Sequence, residues 1–228
     1  MDVGRVVPPA GELGESPFWP AAALLAAAGL YADLPSRFIE GSGGSGAFHA
    51  LRWIVPALTV LVLVSLAAIR PRWRLTRRHL VIGTIAIVSL ANAASILLLI
   101  HFVLNGAPAS DTGSELVRAA THMWAVNVLL FALFFWQHDG GGPLARPNCP
   151  PARRDFLFPQ QLEPIFAESG WRPLFLDYLY VSFTNSTAFS PTDTMPLTRW
   201  AKMLMLVQSA ISLSLAVMVV ARAVNILQ

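Results

Sequence analysis

Hydroxyl and amide side chains are concentrated in the stretch FLDYLYVSFTNSTAFSPTDTMPLTRWAK, residues 175–202. The oxygen-bearing residues in its middle are Ser182, Thr184, Asn185, Ser186, Thr187, Ser190, Thr192, Asp193 and Thr194. A row of oxygens at the end of a helix inside a membrane can replace the hydration shell of a cation. These residue types therefore favour cation coordination, provided that the stretch lies in a membrane.

The composition of the chain indicates a membrane protein. Of its 228 residues, 55% are hydrophobic and only 13% are charged, and the mean hydropathy is +0.56. A soluble domain of this length would carry about a quarter charged residues. The apolar residues are gathered into runs near the roughly 20 residues that a helix needs to cross a bilayer. We expect one integral membrane domain rather than a soluble enzyme with an anchor.

Five apolar runs predict five membrane-spanning helices, so the expected fold class is an all-α integral membrane protein. The runs cover residues 17–34, 51–69, 80–104, 119–136 and 196–227. Residues 1–16 are expected to form an N-terminal tail, and residues 17–117 a three-helix membrane region. The stretch GSGGSG, residues 41–46, has the composition of a flexible linker and predicts a loop.

A re-entrant segment is expected over residues 173–195, between a polar connector at 138–172 and the final apolar run. Residues 173–187 are too few to cross the bilayer as a helix with a rise of 1.5 Å per residue. Non-helical backbone at membrane depth is tolerated only where it is buried in protein or lines a water-filled cavity. The glycines and prolines of the connector, which begins near WQHDGGGP, predict the end of a helix followed by an irregular loop.

The same stretch resembles the potassium-channel pore-loop superfamily, whose pattern reads roughly DALYFSFVTLTTVGYGDxxPxTxxGR. The matching residues are Asp177, Leu179, Tyr180, Ser182 and Phe183 in the pore helix, Thr187 at a filter threonine, and Asp193, Pro196, Thr198 and Lys202 after the filter. The resemblance covers about 55 of the 228 residues. It implies a pore-loop-like region over 118–228, with an outer helix at 119–136, a pore helix that includes Thr184, and an inner helix at 196–227.

The resemblance places the filter or pore lining at Thr187, Ala188, Phe189, Ser190, Pro191, Thr192 and Asp193. Both filter glycines of the family are missing here, and Pro191 fixes its own φ. A row of carbonyl sites for dehydrated potassium is therefore not expected. If the segment conducts, hydroxyl groups and a ring of Asp193 carboxylates would give a weakly selective pathway for monovalent cations.

The resemblance also implies an oligomer, because one pore loop supplies only one wall of a filter. We expect a homo-oligomer, most simply a tetramer. On the inner helix, Gln208, Ser209 and Ser212 are candidates for lining the inner cavity, with Ser214 in the same polar patch. Small polar residues also permit tight helix packing, so both interpretations of this patch stay open. Asn92 and Asn127 are expected to form hydrogen bonds between helices.

Arginines predict the orientation of the chain in a cell membrane. Two loops carry them: Arg70, Arg72, Arg74, Arg77 and Arg78 lie between the second and third runs, and Arg146, Arg153, Arg154 and Arg172 lie in the connector. Two crossings separate these loops, so both face the same side, which the positive-inside tendency assigns to the cytoplasm. The N-terminus is then cytoplasmic. This orientation explains the net charge of +3 without a nucleic-acid partner.

Two other functions stay open. The chain could be a non-conducting membrane scaffold or accessory subunit in which the pore-loop fold serves only packing. A weaker alternative is a haem-binding redox subunit, because His101 and His122 lie at matched depth in two helices of a hairpin and could ligate iron. Otherwise we expect no cofactor and no enzyme activity, since no catalytic set is recognisable. Cys149 is the only cysteine, which excludes a disulfide within the chain and a paired-cysteine metal site.

Overall fold

The fold comes from a computed structural model that describes residues 16, 18–34, 53, 56–57, 59–61, 74–105, 113–163, 165, 167–190 and 193–226. Its helices are α1 (Phe18–Ala32), α2 (Arg74–Asn105), α3 (Gly113–His138), α4 (Pro159–Leu162), α5 (Phe175–Ala188) and α6 (Arg199–Ile226). Two strands, β1 (Phe156–Leu157) and β2 (Met195–Pro196), complete these elements. Most of the predicted run at 51–69, the linker at 41–46 and nearly all of the N-terminal tail lie outside the described residues.

Among the described residues, three helices are long and apolar enough to span a membrane. Their candidate spans are Arg78–His101 in α2, Glu115–Gly141 at α3, and Arg199–Ala221 in α6. Helix α1 is also apolar but has 15 residues, so its length of about 22 Å falls short of the roughly 30 Å hydrocarbon core. The chain is thus mostly helical and compatible with an all-α membrane protein. The count of five spans stays a prediction.

Helix α3 is the centre of the fold and packs against α1, α2, α5 and α6. Its apolar side chains contribute to three separate groups of buried residues. Val126 and Leu130 pack in a group shared with α1, α2 and α6, Phe135 packs with β1, α5 and α6, and Leu133 packs with α1, α2 and α5. A helix that is apolar on all sides is typically buried, and here it is the support against which α5 is positioned.

The connector at 138–172 is more regular than the sequence predicts. It contains three short 3₁₀ turns, Asp139–Gly141, Arg146–Asn148 and Pro151–Arg153, followed by strand β1. Strand β1 pairs antiparallel with β2, so that Phe156 lies opposite Pro196. The prediction of an irregular loop was wrong in this respect, because strand pairing with a segment about 40 residues later is not encoded in the local glycine and proline content.

Helix α6 begins three residues later than predicted. Pro196 lies in β2 rather than in the first turn of the helix, and the first helical residue is Arg199. The Thr198 hydroxyl accepts a hydrogen bond from the backbone N–H of Ala201 at 3.2 Å, as an N-cap residue does. Thr198, rather than Asp193 or Thr194, is therefore the N-cap residue of α6.

Candidate functional site

Helices α5 and α6 both begin near the end of α3. At the start of α5, the Tyr178 hydroxyl donates a hydrogen bond to Asp139, directly after α3. Before α6, the backbone N–H of Leu197 donates to the carbonyl of Asp155 at 2.8 Å, and the N–H of Asp155 donates to Asp139 Oδ1 at 2.8 Å. The chain between α5 and α6 therefore returns to the end from which α5 started.

The far end of α5 lies near the middle of the neighbouring candidate spans. Val128 and Ala210 are the middle residues of the spans in α3 and α6. The Ser182 hydroxyl donates to the carbonyl of Val128 at 2.7 Å, and the Ser209 hydroxyl donates to the carbonyl of Asn185 at 3.2 Å. Helix α5 ends three residues after Asn185, at Ala188. A helix of 14 residues is about 21 Å long, so it reaches this level but cannot extend far beyond it.

Uncharged polar side chains hold α5 at this depth. Gln208 of α6 is completely buried, and its Nε2 lies 2.6 Å from Ser182 Oγ, 2.8 Å from Ser186 Oγ and 3.0 Å from the carbonyl of Ser182. Its Oε1 accepts a hydrogen bond from Asn185 Nδ2 at 2.9 Å. The two N–H groups of the glutamine are shared among three acceptors, so its amide is fully used within the chain.

Helix α3 joins the same group through Asn127. The Asn127 Nδ2 donates to Ser212 Oγ at 3.1 Å and lies 3.4 Å from the carbonyl of Gln208. Asn92 of α2 donates to the carbonyl of Met123 at 3.5 Å. Both asparagines therefore connect two helices, as predicted. We call the buried group between α3, α5 and α6 the mid-depth network; it consists of Asn127, Ser182, Asn185, Ser186, Gln208 and Ser212.

The predicted inner-cavity residues lie inside this helix contact. Gln208 and Ser212 are 0% and 2% exposed, and Ser209 is partly buried against Asn185. Ser214, by contrast, is exposed and donates to the carbonyl of Ala210 in its own helix at 2.8 Å. The polar patch of α6 therefore divides into a buried packing face and an exposed serine. A role in lining a cavity stays a prediction for these residues.

The described filter positions lie on the surface of the chain, at and after the end of α5. Thr187, Ala188, Phe189, Ser190 and Asp193 are all exposed. The Thr187 hydroxyl donates to the carbonyl of Phe183 at 2.9 Å. Phe189 has the left-handed backbone conformation, with φ 53° and ψ 30°, which ends the helix and turns the chain.

Two of the predicted filter residues, Pro191 and Thr192, lie outside the described residues. The structure therefore places Thr187, Ala188, Phe189 and Ser190 at one exposed end of α5, and Asp193 is exposed further along the chain.

The residues assigned to the pore helix have different surroundings. Asp177 accepts a hydrogen bond from the backbone N–H of Leu174 at 2.7 Å and stabilises the first turn of α5. Thr184 donates to the carbonyl of Tyr180 at 2.9 Å within the helix. Tyr180 itself is 52% exposed, whereas Ser182 is completely buried. The buried face of α5 packs against α3 and α6, and the exposed face carries Tyr180 and Thr187.

A second polar site, which sequence reasoning missed, lies at the end of α3. We call Asp139, Arg146 and Tyr178 the edge cluster. Asp139 and Tyr178 are completely buried and Arg146 is 5% exposed. Asp139 Oδ1 accepts hydrogen bonds from the backbone N–H groups of Asp155 and Phe156, at 2.8 and 3.2 Å. Its Oδ2 accepts from the Tyr178 hydroxyl and lies 3.5 Å from Arg146 Nε.

Arg146 connects the edge cluster to three parts of the chain. Its Nη1 donates to the carbonyl of Pro173 at 3.1 Å, and its Nη2 donates to the carbonyl of Trp136. The guanidinium also lies 4.7 Å from the centre of the Tyr178 ring, within the range of a cation–π contact. The cluster thus fixes the end of α3, the connector and the start of α5 relative to one another.

A local sequence signal for the edge cluster exists in the stretch DGGGPLAR. Gly140, Gly141 and Gly142 all have positive φ angles, which are strained for residues with a Cβ. These glycines allow the chain to turn back so that Arg146 reaches Asp139. A charged residue followed by three glycines and then an arginine is a pattern that could have indicated a closed turn around a buried carboxylate.

His122 is already engaged at the other end of α3. Its Nε2 lies 3.1 Å from Asp33 Oδ2, and its Nδ1 lies 2.8 Å from the carbonyl of Arg118. Arg118 Nη2 also donates to Asp33 Oδ2 at 2.6 Å. The hydrogen bond from Arg118 first, and then that from His122, lowers the pKa of Asp33 below its ordinary value.

Metal or haem ligation is not favoured by these positions. Both ring nitrogens of His122 have protein partners, and His101 lies exposed on α2. Across the part of the chain that the structure describes, no group of three or more histidine, cysteine, aspartate or glutamate side chains could hold a metal ion. The haem alternative stays a prediction that rests on the two histidines alone.

The fold and the two polar sites define a mostly helical chain with three helices that could span a membrane. Comparison with protein-family models, with curated proteins and with solved structures gives no match.

Proposed function

We propose that this chain is a subunit of a homo-oligomeric membrane pore for monovalent cations, in which residues 173–195 form a re-entrant segment. One observation carries the proposal. Helix α5 ends near the middle of the candidate spans and leaves Thr187, Ser190 and Asp193 exposed after that end. Polar side chains and non-helical backbone that face lipid cost several kcal/mol. Water, further copies of the chain or another protein must therefore cover this surface.

The direction of α5 favours a cation rather than an anion. The carboxyl end of a helix carries a partial negative charge of about half an electron, and here that end lies next to the exposed hydroxyl of Thr187. Asp193, five residues after the end of α5, adds a full negative charge. Four copies around one axis would place four such helix ends and four carboxylates along a shared path. Selection by side chains of this kind is weak, because it lacks a fixed row of carbonyl groups.

A specific observation also favours a second function, that of a non-conducting scaffold or accessory subunit. The mid-depth network satisfies Gln208, Asn185 and Ser182 entirely within one chain. Helix α5 is therefore held in place without help from another copy. In this alternative the half-length helix contributes to packing, and a partner other than a copy of the chain covers its exposed end.

The first test is the mass of the intact complex in nanodiscs, followed by cation flux into liposomes. The pore proposal predicts an oligomer, most simply a tetramer. It also predicts that Asp193→Asn lowers flux at low ionic strength by roughly tenfold, because a ring of negative charge concentrates cations by at least that factor.

The matched control for this test is Glu163→Gln, which removes an exposed acidic residue of the connector and is expected to leave flux unchanged. A monomeric complex would favour the scaffold instead. An oligomer whose flux does not respond to Asp193→Asn would contradict the acidic ring.

A further inference from the structure

A basic pocket lies beside the edge cluster and shares Arg146 with it. It is lined by Pro143, Arg146, Pro147, Arg154, Arg172, Pro173 and Leu174. Three of these residues are arginines and none is acidic. A concave site lined by arginines favours an anion, because the field of like charges is focused there.

Arg154 provides an independent indication of a missing partner. Its side chain is partly buried, and its Nε is enclosed without a hydrogen-bond acceptor among the described residues. A buried donor without an acceptor costs roughly 1–3 kcal/mol, and more when it is charged. An anion in the pocket would balance the positive charge of this guanidinium, which the enclosed Nε leaves without an acceptor. Arg146 has a different role, since Asp139 already balances its charge and it forms a fixed wall.

The position of the pocket places it at the membrane surface. The candidate span of α3 ends at Gly141, two residues before Pro143 of the pocket lining. Leu144 and Leu174, which flank the pocket, are 61% and 41% exposed. A basic pocket bordered by exposed apolar side chains at the end of a span is typical of sites that hold lipid headgroups.

The size of the pocket limits the ligand to a small group. Its accessible volume is about 40 Å³, whereas one water molecule needs roughly 10–15 Å³ of such space. A tetrahedral anion fits this volume, and the rest of a larger ligand would lie outside it. The planar guanidinium fork of arginine matches the oxygens of a phosphate in a bidentate manner.

We propose that this pocket binds a single phosphate group, which Arg154 and Arg172 coordinate against the wall formed by Arg146. Two sources of this chemistry are distinguished by experiment: the headgroup of an anionic phospholipid, and free inorganic phosphate. The proposal is independent of the pore, because no residue of the pocket belongs to the proposed filter.

The test uses the full-length chain, purified in a mild detergent, with two ligands. Native mass spectrometry measures the binding of phosphatidylglycerol in competition with phosphatidylcholine. Thermal unfolding measures stabilisation by inorganic phosphate against chloride at equal ionic strength. The variants are Arg154→Gln, Arg172→Gln and Arg154→Lys, and the matched control is Arg153→Gln, which removes a neighbouring exposed arginine outside the pocket.

We expect Arg154→Gln and Arg172→Gln to weaken binding by about tenfold, the loss of one charge-assisted hydrogen bond. Arg154→Lys keeps the charge but loses the fork, so its affinity is expected to lie between those of the wild type and the glutamine variant. Dependence on the two arginines in the lipid experiment assigns the site to a headgroup, and dependence with inorganic phosphate alone assigns it to the free ion.

The proposal is overturned if neither experiment depends on Arg154 and Arg172, or if Arg153→Gln has an equal effect. Circular dichroism verifies that each variant keeps its helix content. If the glutamine variants do not fold, Arg154→Lys decides the matter, since wild-type affinity in both experiments would then overturn the proposal.

Discussion

Two polar groups fasten α5 to the rest of the chain, and they differ in charge. The edge cluster, at the start of α5, contains a buried carboxylate and a buried guanidinium only 3.5 Å apart. The mid-depth network, half a span further along, contains only amides and hydroxyls. Both are almost completely buried. Burial alone therefore does not determine which kind of polar group the fold uses.

The difference follows from the cost of removing charge from water. A charged side chain at the centre of a bilayer costs at least about 3 kcal/mol, and less near the surface. The edge cluster lies at the end of a candidate span. There Arg146 and Asp139 can form their ion pair close to water. Helix α5 is thus anchored by an ion pair where a charge is tolerated and by neutral hydrogen bonds where it is not.

The largest expected effect concerns the edge cluster. Arg146→Met leaves Asp139 buried without its ionic partner, and breaking a buried pair in this way destabilises a protein by roughly 3–5 kcal/mol. Unfolding by sodium dodecyl sulfate in mixed micelles measures this loss. The double variant Arg146→Met with Asp139→Asn is expected to recover part of the stability, because the unpaired charge is gone. A loss no greater than that caused by Arg153→Met would contradict the anchoring role of the pair.

The mid-depth network is expected to respond less strongly. Gln208→Leu keeps the approximate volume but removes the partners of Asn185, Ser182 and Ser186. Hydrogen bonds between helices in membranes contribute roughly 1–2 kcal/mol or less, so the same unfolding experiment should show a loss of this size. Ser214→Ala, on the exposed face of the same helix, is the matched control and should have almost no effect. Equal losses for the two variants would remove the distinction between these faces.

The smallest effect concerns a charged pair exposed to water, in contrast to the two buried groups. Asp33 and Arg118 are 57% and 52% exposed, and Arg118 lowers the pKa of Asp33. Ionised Asp33 therefore stabilises the folded state at pH values above the pKa of an aspartate in the unfolded chain, about 3.9. This contribution is lost as the pH falls through the lower pKa of Asp33 in the folded chain. Arg118→Gln should raise the pKa of Asp33 in the folded chain and so narrow the pH range between these two pKa values.

The carboxyl ¹³C chemical shift of Asp33, followed as a function of pH, measures the effect. His122→Gln serves as the comparison and should raise the pKa less, since Arg118 makes the larger contribution. An unchanged titration in Arg118→Gln would show that the contact does not form in solution. Because the group is exposed, the effect on overall stability is expected to be small.

The long apolar helices could be predicted from the sequence because their signal is local. The run at 119–136 identified α3, although the helix extends to Gly113–His138 because polar residues at both ends continue it. The half-length of α5 was visible from residues 173–187 for the same reason. The contact of the edge cluster with α5 was not visible, since Asp139 meets Tyr178 across 39 residues of chain and hydropathy reports only neighbours.

The predicted roles of the polar residues were harder to separate for a related reason. Gln208 and Ser214 lie six residues apart on one helix, and composition gives both the same interpretation. Only the packing of α5 distinguishes them, because it buries Gln208 and leaves Ser214 exposed. Whether a polar residue lines a path or joins two helices depends on which neighbour covers it.

The position of α5 between α3 and α6 sets an order of events during synthesis of the chain. Helix α6 is made after α5, and its Gln208 supplies partners for Ser182, Asn185 and Ser186. In the proposed membrane arrangement, those groups lack their partners until α6 has entered the bilayer, and unsatisfied polar groups are costly in hydrocarbon. On that proposal, the newly made half-length helix would stay near the membrane surface and reach its final depth only together with α6.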